Sequence, residues 1–297
     1  MITASHPRTP RRHAGFTIAE MLVVVAIILV VLSIVIVATR AVRQAGGRAG
    51  SSAFLRQLAT AHSTYASDHR QQMIPGHLTP QLQEELGISV VGPNGAPVPD
   101  VAAATWVWRL VPYLGDQWAP LLSDVGAASA SATASAEISA GDLEQLALHP
   151  NFGMNTIFIG GDSQAGGVAN RSPWNTAGNA PIAATRLSEV RQPAKTVLFA
   201  PTRFRDGSPL DATSDRGYYE LRAPVLVAEQ WTTAQGVATP GAGFVQPAGL
   251  PTIRSGGDSL PIVHVDGSVQ LTTLLELHRD MRRWSPFADS ENWSVGD

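Results

Sequence analysis

The sequence predicts an α+β protein. One long N-terminal helix, membrane-spanning in its first half and amphipathic in its second, packs on a small antiparallel-sheet head with long loops. Three observations lead there. Met21 to Ala38 is an apolar run broken only by Ser33. Phe54, Leu58, Ala61 and Tyr65 then recur at spacings of four, three and four, the period of a helix face. Beyond them, short β-branched runs alternate with stretches rich in Gly and Pro.

Eighteen residues at ~1.5 Å each give about 27 Å, close to the hydrocarbon thickness of a bilayer. Val, Ile and Leu dominate the run and no proline interrupts it, so residues 16–39 read as a transmembrane helix. Residues 1–15 precede it with Arg8, Arg11 and Arg12 and no acid. A secretory signal peptide shares that layout, but its apolar core is usually about 7–15 residues and ends at a small-residue cleavage site. Val37-Ala38-Thr39-Arg40-Ala41 matches such a site poorly. Arg40, Arg43, Arg48 and Arg56 follow the run, so charge balance leaves the orientation open.

Residues 40–71 continue the helical pattern as an amphipathic segment. An unbroken helix from Phe16 to Arg70 would span roughly 80 Å. Gly46, Gly47 and Gly50, with Ser51 and Ser52, interrupt good helix formers. A glycine costs roughly 1 kcal/mol against alanine inside a helix, which predicts a weak point there. Residues 72–297 form the head. Its candidate strands are Ile157–Ile159, Thr196–Ala200, Val225–Ala228, Ile262–Val265 and Val269–Thr272, the last two joined at Asp266-Gly267, a dipeptide that favours tight hairpins. Ser123–Gly141, an Ala/Ser tract, and Gly236–Pro251 read as loops.

Glu20 sits at the edge of the apolar run, where a carboxylate is costly unless it has a partner. Gly15-Phe16-Thr17-Ile18-Ala19-Glu20, leading into Met21-Leu22-Val23-Val24, resembles the prepilin signature of type IV pilins and type II secretion pseudopilins. Ile-Ala stands where Leu-Ile usually precedes the Glu. The resemblance implies residues 1–15 as a leader, cut between Gly15 and Phe16 by a prepilin peptidase/N-methyltransferase that methylates Phe16. It further implies that Gly15 allows close backbone approach at the peptidase. Glu20 would set registry by pairing with the Phe16 amine of a neighbouring subunit. The implied partners are that enzyme, other pilin-like subunits and the bacterial inner membrane. The N-terminus would be cytoplasmic and the head periplasmic.

The head resembles large pilin-like families of planctomycete-type bacteria in four blocks: Tyr65-Ala66-Ser67-Asp68 through Pro75, Trp106 through Leu114, Phe152-Gly153-Met154-Asn155-Thr156, and Leu187 through Phe199. That family's C-terminal motif, His, nine residues, then Asp-Gly, is degraded: Ser255 and Ser268 stand at the two expected histidines.

Other chemistry is weighed on its residues. Net charge is −3 with 15% charged residues, which gives no footprint for nucleic acid. Cysteine is absent, which excludes disulfides and thiolate metal sites. Ile157 through Ser163 resembles the first block of Gly-Asp-Ser hydrolases, but no Asp-x-x-His follows. Asp258, His264 and Asp266 are too few acids for calcium, which takes six to eight oxygens. His62 and His69 share a helix face with no third ligand and read as solvated. Trp284 and Trp293 read as packing. The expectation is a structural filament subunit, not an enzyme, with no cofactor and no metal. The alternatives are an anchored, non-polymerising binding protein or a hydrolase using Ser163.

Overall fold

A computed structural model describes residues 18–92, 95–121, 140–163, 182–203, 217–223, 250–253 and 258–293. The expected strand Val225–Ala228 and most of the two expected loops lie outside the described residues. The chain divides into two compact units, Met1–Ala45 and Gly46–Asp297.

The first unit consists, among the described residues, of the N-terminal part of helix α1 (Ile18–Asp68). An 18-residue window of this helix has a mean hydropathy of 3.5 and none of it is buried. The two hydroxyls in the part of α1 that belongs to this unit are satisfied within the helix: Ser33 Oγ donates to Val30 O and Thr39 Oγ1 to Val35 O, both at 2.7 Å. That removes the polar cost these side chains would carry in hydrocarbon. The expected weak point at the glycines is not a break, because α1 stays helical through Gly46, Gly47 and Gly50. A methyl group at Gly46 or Gly50 would meet nothing within 4 Å.

In the second unit the C-terminal part of α1 buries the predicted stripe. Phe54, Leu58, Ala61 and Tyr65 are all at or below 8% exposure. Phe54 packs on Phe152 at 5.2 Å between ring centroids, and His62 meets Phe199 edge-on at 6.2 Å. The helix ends where Arg70 (φ 56°) and Gln71 (φ 66°) turn left-handed. Such residues cost on the order of 1–3 kcal/mol each unless their surroundings hold them. Here Gln71 N–H donates to Ala66 O at 2.7 Å, and Met73 N–H to Thr185 O at 2.8 Å.

The head sheet is antiparallel. Strands β1 (Phe152–Met154), β2 (Val197–Arg203), β4 (Leu260–His264) and β5 (Val269–Thr272) run in the order β1-β2-β4-β5, and β3 (Leu250–Pro251) pairs with the end of β2. Val197 pairs with His264 but Phe199 with Val263, so Leu198 is an extra residue, a β-bulge. The bulge explains why consecutive Leu198 and Phe199 join the core cluster under α1, while Val197 and Ala200 join a second cluster with Leu277 and Trp284. With apolar clusters on both sides, β2 reads as a continuous apolar run from Val197 to Ala200. The β4–β5 hairpin turns at Asp266-Gly267 as expected. Gly267 N–H donates to His264 O at 2.9 Å, and its φ of 84° suits glycine.

Among the described residues the unit also contains the short helices α2 (Pro80–Glu85), α3 (Trp106–Leu110), α4 (Ala140–Leu148) and α5 (Leu274–Arg279), with several 3-10 turns. α4 begins at Ala140, inside the tract expected to be loop through Gly141. Trp106 is the centre of the α1-side core: it is fully buried, packs on Phe199 at 5.0 Å and donates from Nε1 to Tyr219 O at 2.7 Å.

One expected strand is corrected. Ile157–Ile159 lies in a turn closed by Ile159 N–H donating to Asn155 O at 2.9 Å. All three side chains are buried, and an apolar triplet looks the same in a buried turn as in a strand. Asn155 ends β1 by reaching across the sheet, its Nδ2 donating to Val197 O at 3.0 Å and Trp284 O at 2.8 Å.

Trp106→Ala removes a buried ring and its hydrogen bond, and is expected to destabilise the head by about 3–5 kcal/mol. Urea denaturation of the full chain in detergent, followed by far-UV circular dichroism, measures that loss.

Candidate functional site

Gly15 and Phe16, the expected processing residues, lie outside the described residues. Glu20 is in the first turn of α1 and exposed. A carboxylate there is favourably placed against the positive end of the helix dipole. Every large apolar residue from Met21 to Val37 is also exposed, from 45% at Val24 to 69% at Val37. The N-terminus therefore presents one acid followed by an apolar cylinder, which fits a membrane anchor.

The head contains a polar cluster that the sequence reading did not assemble. A segment leaving α1, Gln72–Leu78, runs beside the turn at Gly160-Gly161. Gly76 N–H donates to Gly161 O at 2.9 Å, and Ser163 N–H to His77 O at 3.1 Å. Glycine is required twice. A methyl group at Gly76 would come within 2.2 Å of Thr156 Cβ, and one at Gly160 (φ 75°) within 2.0 Å of Ile74 O. This close approach brings His77 Nδ1 to 3.1 Å from Ser163 Oγ, across 86 residues of sequence.

Asp162 is buried beside them, its Oδ2 accepting from Thr156 Oγ1 at 3.2 Å and from the Tyr219 hydroxyl at 3.3 Å. Burial lowers the pKa of His77; the Asp162 charge opposes the shift and Arg109 adds to it. Glu220, also buried, is pushed up to about 7 by burial and by Asp162, against the pull of its ion pair with Arg222 at 3.2 Å. Burial and then Asp162 raise Tyr219 well above the usual phenol range. The group is thus a desolvated set of acids and phenols with one imidazole.

That geometry only partly matches an activated serine, in which an imidazole nitrogen takes the hydroxyl proton while an acid holds the other nitrogen. His77 is within reach of Ser163, but Asp162 Oδ2 receives neutral hydroxyl donors.

The other histidine and acid candidates separate. His62 is corrected from solvated to buried at 1% exposure, because it faces Phe199 from the stripe side of α1. Its Nε2 has no hydrogen-bond partner, and burial lowers its pKa to about 4. His69 is exposed and stacks on Tyr65 at 3.9 Å, so the two histidines do not form a site. His264 Nδ1 lies 3.2 Å from Ser268 Oγ, and Asp266 Oδ1 accepts from Ser268 N and Oγ at 2.9 and 2.6 Å. These contacts tie the hairpin turn together, with Ser268 standing where the resemblance expects a histidine. Among the described residues no three His, Asp or Glu side chains gather as a metal site. Trp284 is fully buried and Trp293 packs on Phe158 at 6.0 Å, both in packing roles.

Residues 10–36 match the family model of the prokaryotic N-terminal methylation motif. The match spans Gly15, Phe16, Glu20 and most of the apolar run. The chain therefore carries a prepilin-type N-terminus, and the α+β head behind its long helix completes a pilin-like arrangement. No curated protein and no solved structure matches the chain.

The buried His62 sets a pH dependence. Its folded pKa of about 4 lies below its ordinary 6.5, so the unfolded chain takes up the proton first as pH falls. The stability it contributes is present above pH 6.5 and is lost as pH drops toward 4. His77, His264 and His278 shift in the same direction, whereas Glu220 acts oppositely. His62→Leu is expected to flatten the stability loss between pH 7 and pH 5, measured by urea denaturation at each pH.

Proposed function

We propose that this protein is a structural subunit of a type II secretion-like or type IV pilus-like filament, processed at Gly15–Phe16 and anchored in the bacterial inner membrane. The observation that carries the reading is the coincidence of the methylation motif at residues 10–36 with a helix whose apolar surface is exposed along its whole hydrophobic window. Cleavage would leave a methylated Phe16 amine four residues from Glu20. That carboxylate is then the counter-charge for the amine of an adjoining subunit in a bilayer that tolerates neither charge alone. The head projects on the periplasmic side, as the prepilin leader implies.

Mass spectrometry of the N-terminal peptide from native membranes is expected to show N-methylated Phe16. A peptide beginning at Met1 would reduce the helix to a plain anchor, and one beginning after Ala38 would make the protein an ordinary secreted one. Glu20→Ala is expected to leave membrane insertion intact and to lower incorporation into sheared filaments severalfold. Unchanged incorporation would remove the registry role. Cross-linking in membranes separates a filament subunit from an anchored binding protein that never polymerises.

The contact between His77 and Ser163 favours a second reading, a membrane-anchored esterase. Against it stand the neutral donors on Asp162 Oδ2 and the Gly-rich turn's evident packing role. On the structural reading, the purified chain shows no p-nitrophenyl acetate hydrolysis that Ser163→Ala abolishes. A Ser163-dependent rate would establish the catalytic alternative.

A further inference from the structure

Arg109 is the single charge in the run from Trp106 to Tyr113, and it is held inside the head at 5% exposure. Its Nη2 donates to Pro75 O at 2.8 Å and Ala104 O at 2.9 Å. Its Nε and Nη1 are buried with no hydrogen-bonding partner, and among the described residues no carboxylate lies within ion-pair distance. Burial lowers its pKa to about 10, opposed by Tyr65 and Asp162, so the guanidinium remains charged at neutral pH. A buried cation whose hydrogen-bond acceptors among the described residues are two carbonyls is a costly arrangement in a protein interior.

Arg109 also forms part of the wall of a cavity of about 860 Å³. Tyr65, His69, Trp108 and Tyr113 line the same space, and Ile88 and Ser89 lie on it from the loop after α2. Tyr65 and Tyr113 meet edge-to-face at 5.6 Å, while His69 stacks on Tyr65, so the aromatic surfaces are fixed in place. The strained pair Arg70 and Gln71 directly follows His69. A volume of that size accommodates a small organic molecule, since ligand cavities run about 300–1,000 Å³.

We propose that this cavity binds a small aromatic carboxylate, either a free acid or the C-terminal residue of a peptide, with the ring against Tyr65 and Tyr113 and the carboxylate toward Arg109. A carboxylate in the cavity is drawn to the guanidinium beside it, whose charge no described carboxylate neutralises. The aromatic walls select the body of the ligand. The site belongs wholly to the head, so it stands whether or not the chain polymerises.

The test uses the full chain in detergent and isothermal titration calorimetry. The probes are phenylacetate for a free acid and a short peptide ending in Phe for a chain terminus, each against its uncharged amide. At least one acid is expected to bind about tenfold or more tightly than its amide, the 1.4 kcal/mol scale of one charge-assisted contact. Which acid binds identifies the source. Arg109→Gln removes the charge but also the ties to Pro75 and Ala104, so a second variant is needed. Ser89→Trp fills the cavity from an exposed position, and should abolish binding while the melting temperature stays unchanged. No binding of either acid, equal binding of acid and amide, or full binding in a folded Ser89→Trp protein would each overturn the proposal.

Discussion

The apolar surface from Met21 to Ala38 is the constraint from which the rest follows. Its residues are exposed to roughly half or more of their area, and burial of apolar surface is worth roughly 25 cal/mol per Å². A helix of this composition has no stable place in water, so it must sit in lipid or against like helices. Its backbone is satisfied within the helix, and Ser33 and Thr39 return their hydroxyls to it. Glu20 places a carboxylate at the edge of that surface, within the methylation motif. An acid that merely needed water could stand a few residues earlier. On the proposed cleavage at Gly15–Phe16, its place four residues from the new terminus would give it a chemical task.

The head solves a different problem, since its sheet is packed on two faces. β2 serves both because the bulge at Leu198 shifts the alternation by one residue and sends Leu198 and Phe199 under α1 together. Asn155 then links the layers through the carbonyls of Val197 and Trp284. With the sheet covered on both sides, polar side chains are pressed into the seams. His77, Asp162, Tyr219 and Glu220 occupy one such seam, and Arg109 lies close enough to influence His77 electrostatically. Shifted titrations follow from desolvation there, so they do not by themselves denote catalysis.

What the sequence made legible was local. The processing motif is a linear string, the stripe from Phe54 to Tyr65 has the helix period, and Asp266-Gly267 carries its turn chemistry in two residues. The blocks around Trp106, Phe152 and Phe199 all proved to be core. What was not legible depended on long-range packing. His62 and His69 are two turns apart with the same residue type, yet one faces Phe199 and the other solvent. His77 and Ser163 meet only because Gly76 and Gly160 let two backbone segments touch. For Arg109 a signal did exist, a lone charge between Trp108 and Leu110 in an apolar run, which marks either an exposed helix face or a buried cation.

The glycines of α1 bear on how the anchor and the head can serve one purpose. Gly46 and Gly50 lie just past the boundary between the two compact units, and neither is demanded by a neighbour, since a methyl group at either would meet nothing. Glycine costs roughly 1 kcal/mol against alanine in a helix interior, so packing within the chain does not explain them. Two physical uses remain. One is a helix that melts locally at small cost. The other is a surface small enough for another helix to approach closely, as small residues permit between membrane helices. The first would serve any anchored head, whereas the second would serve only a helix that meets another helix.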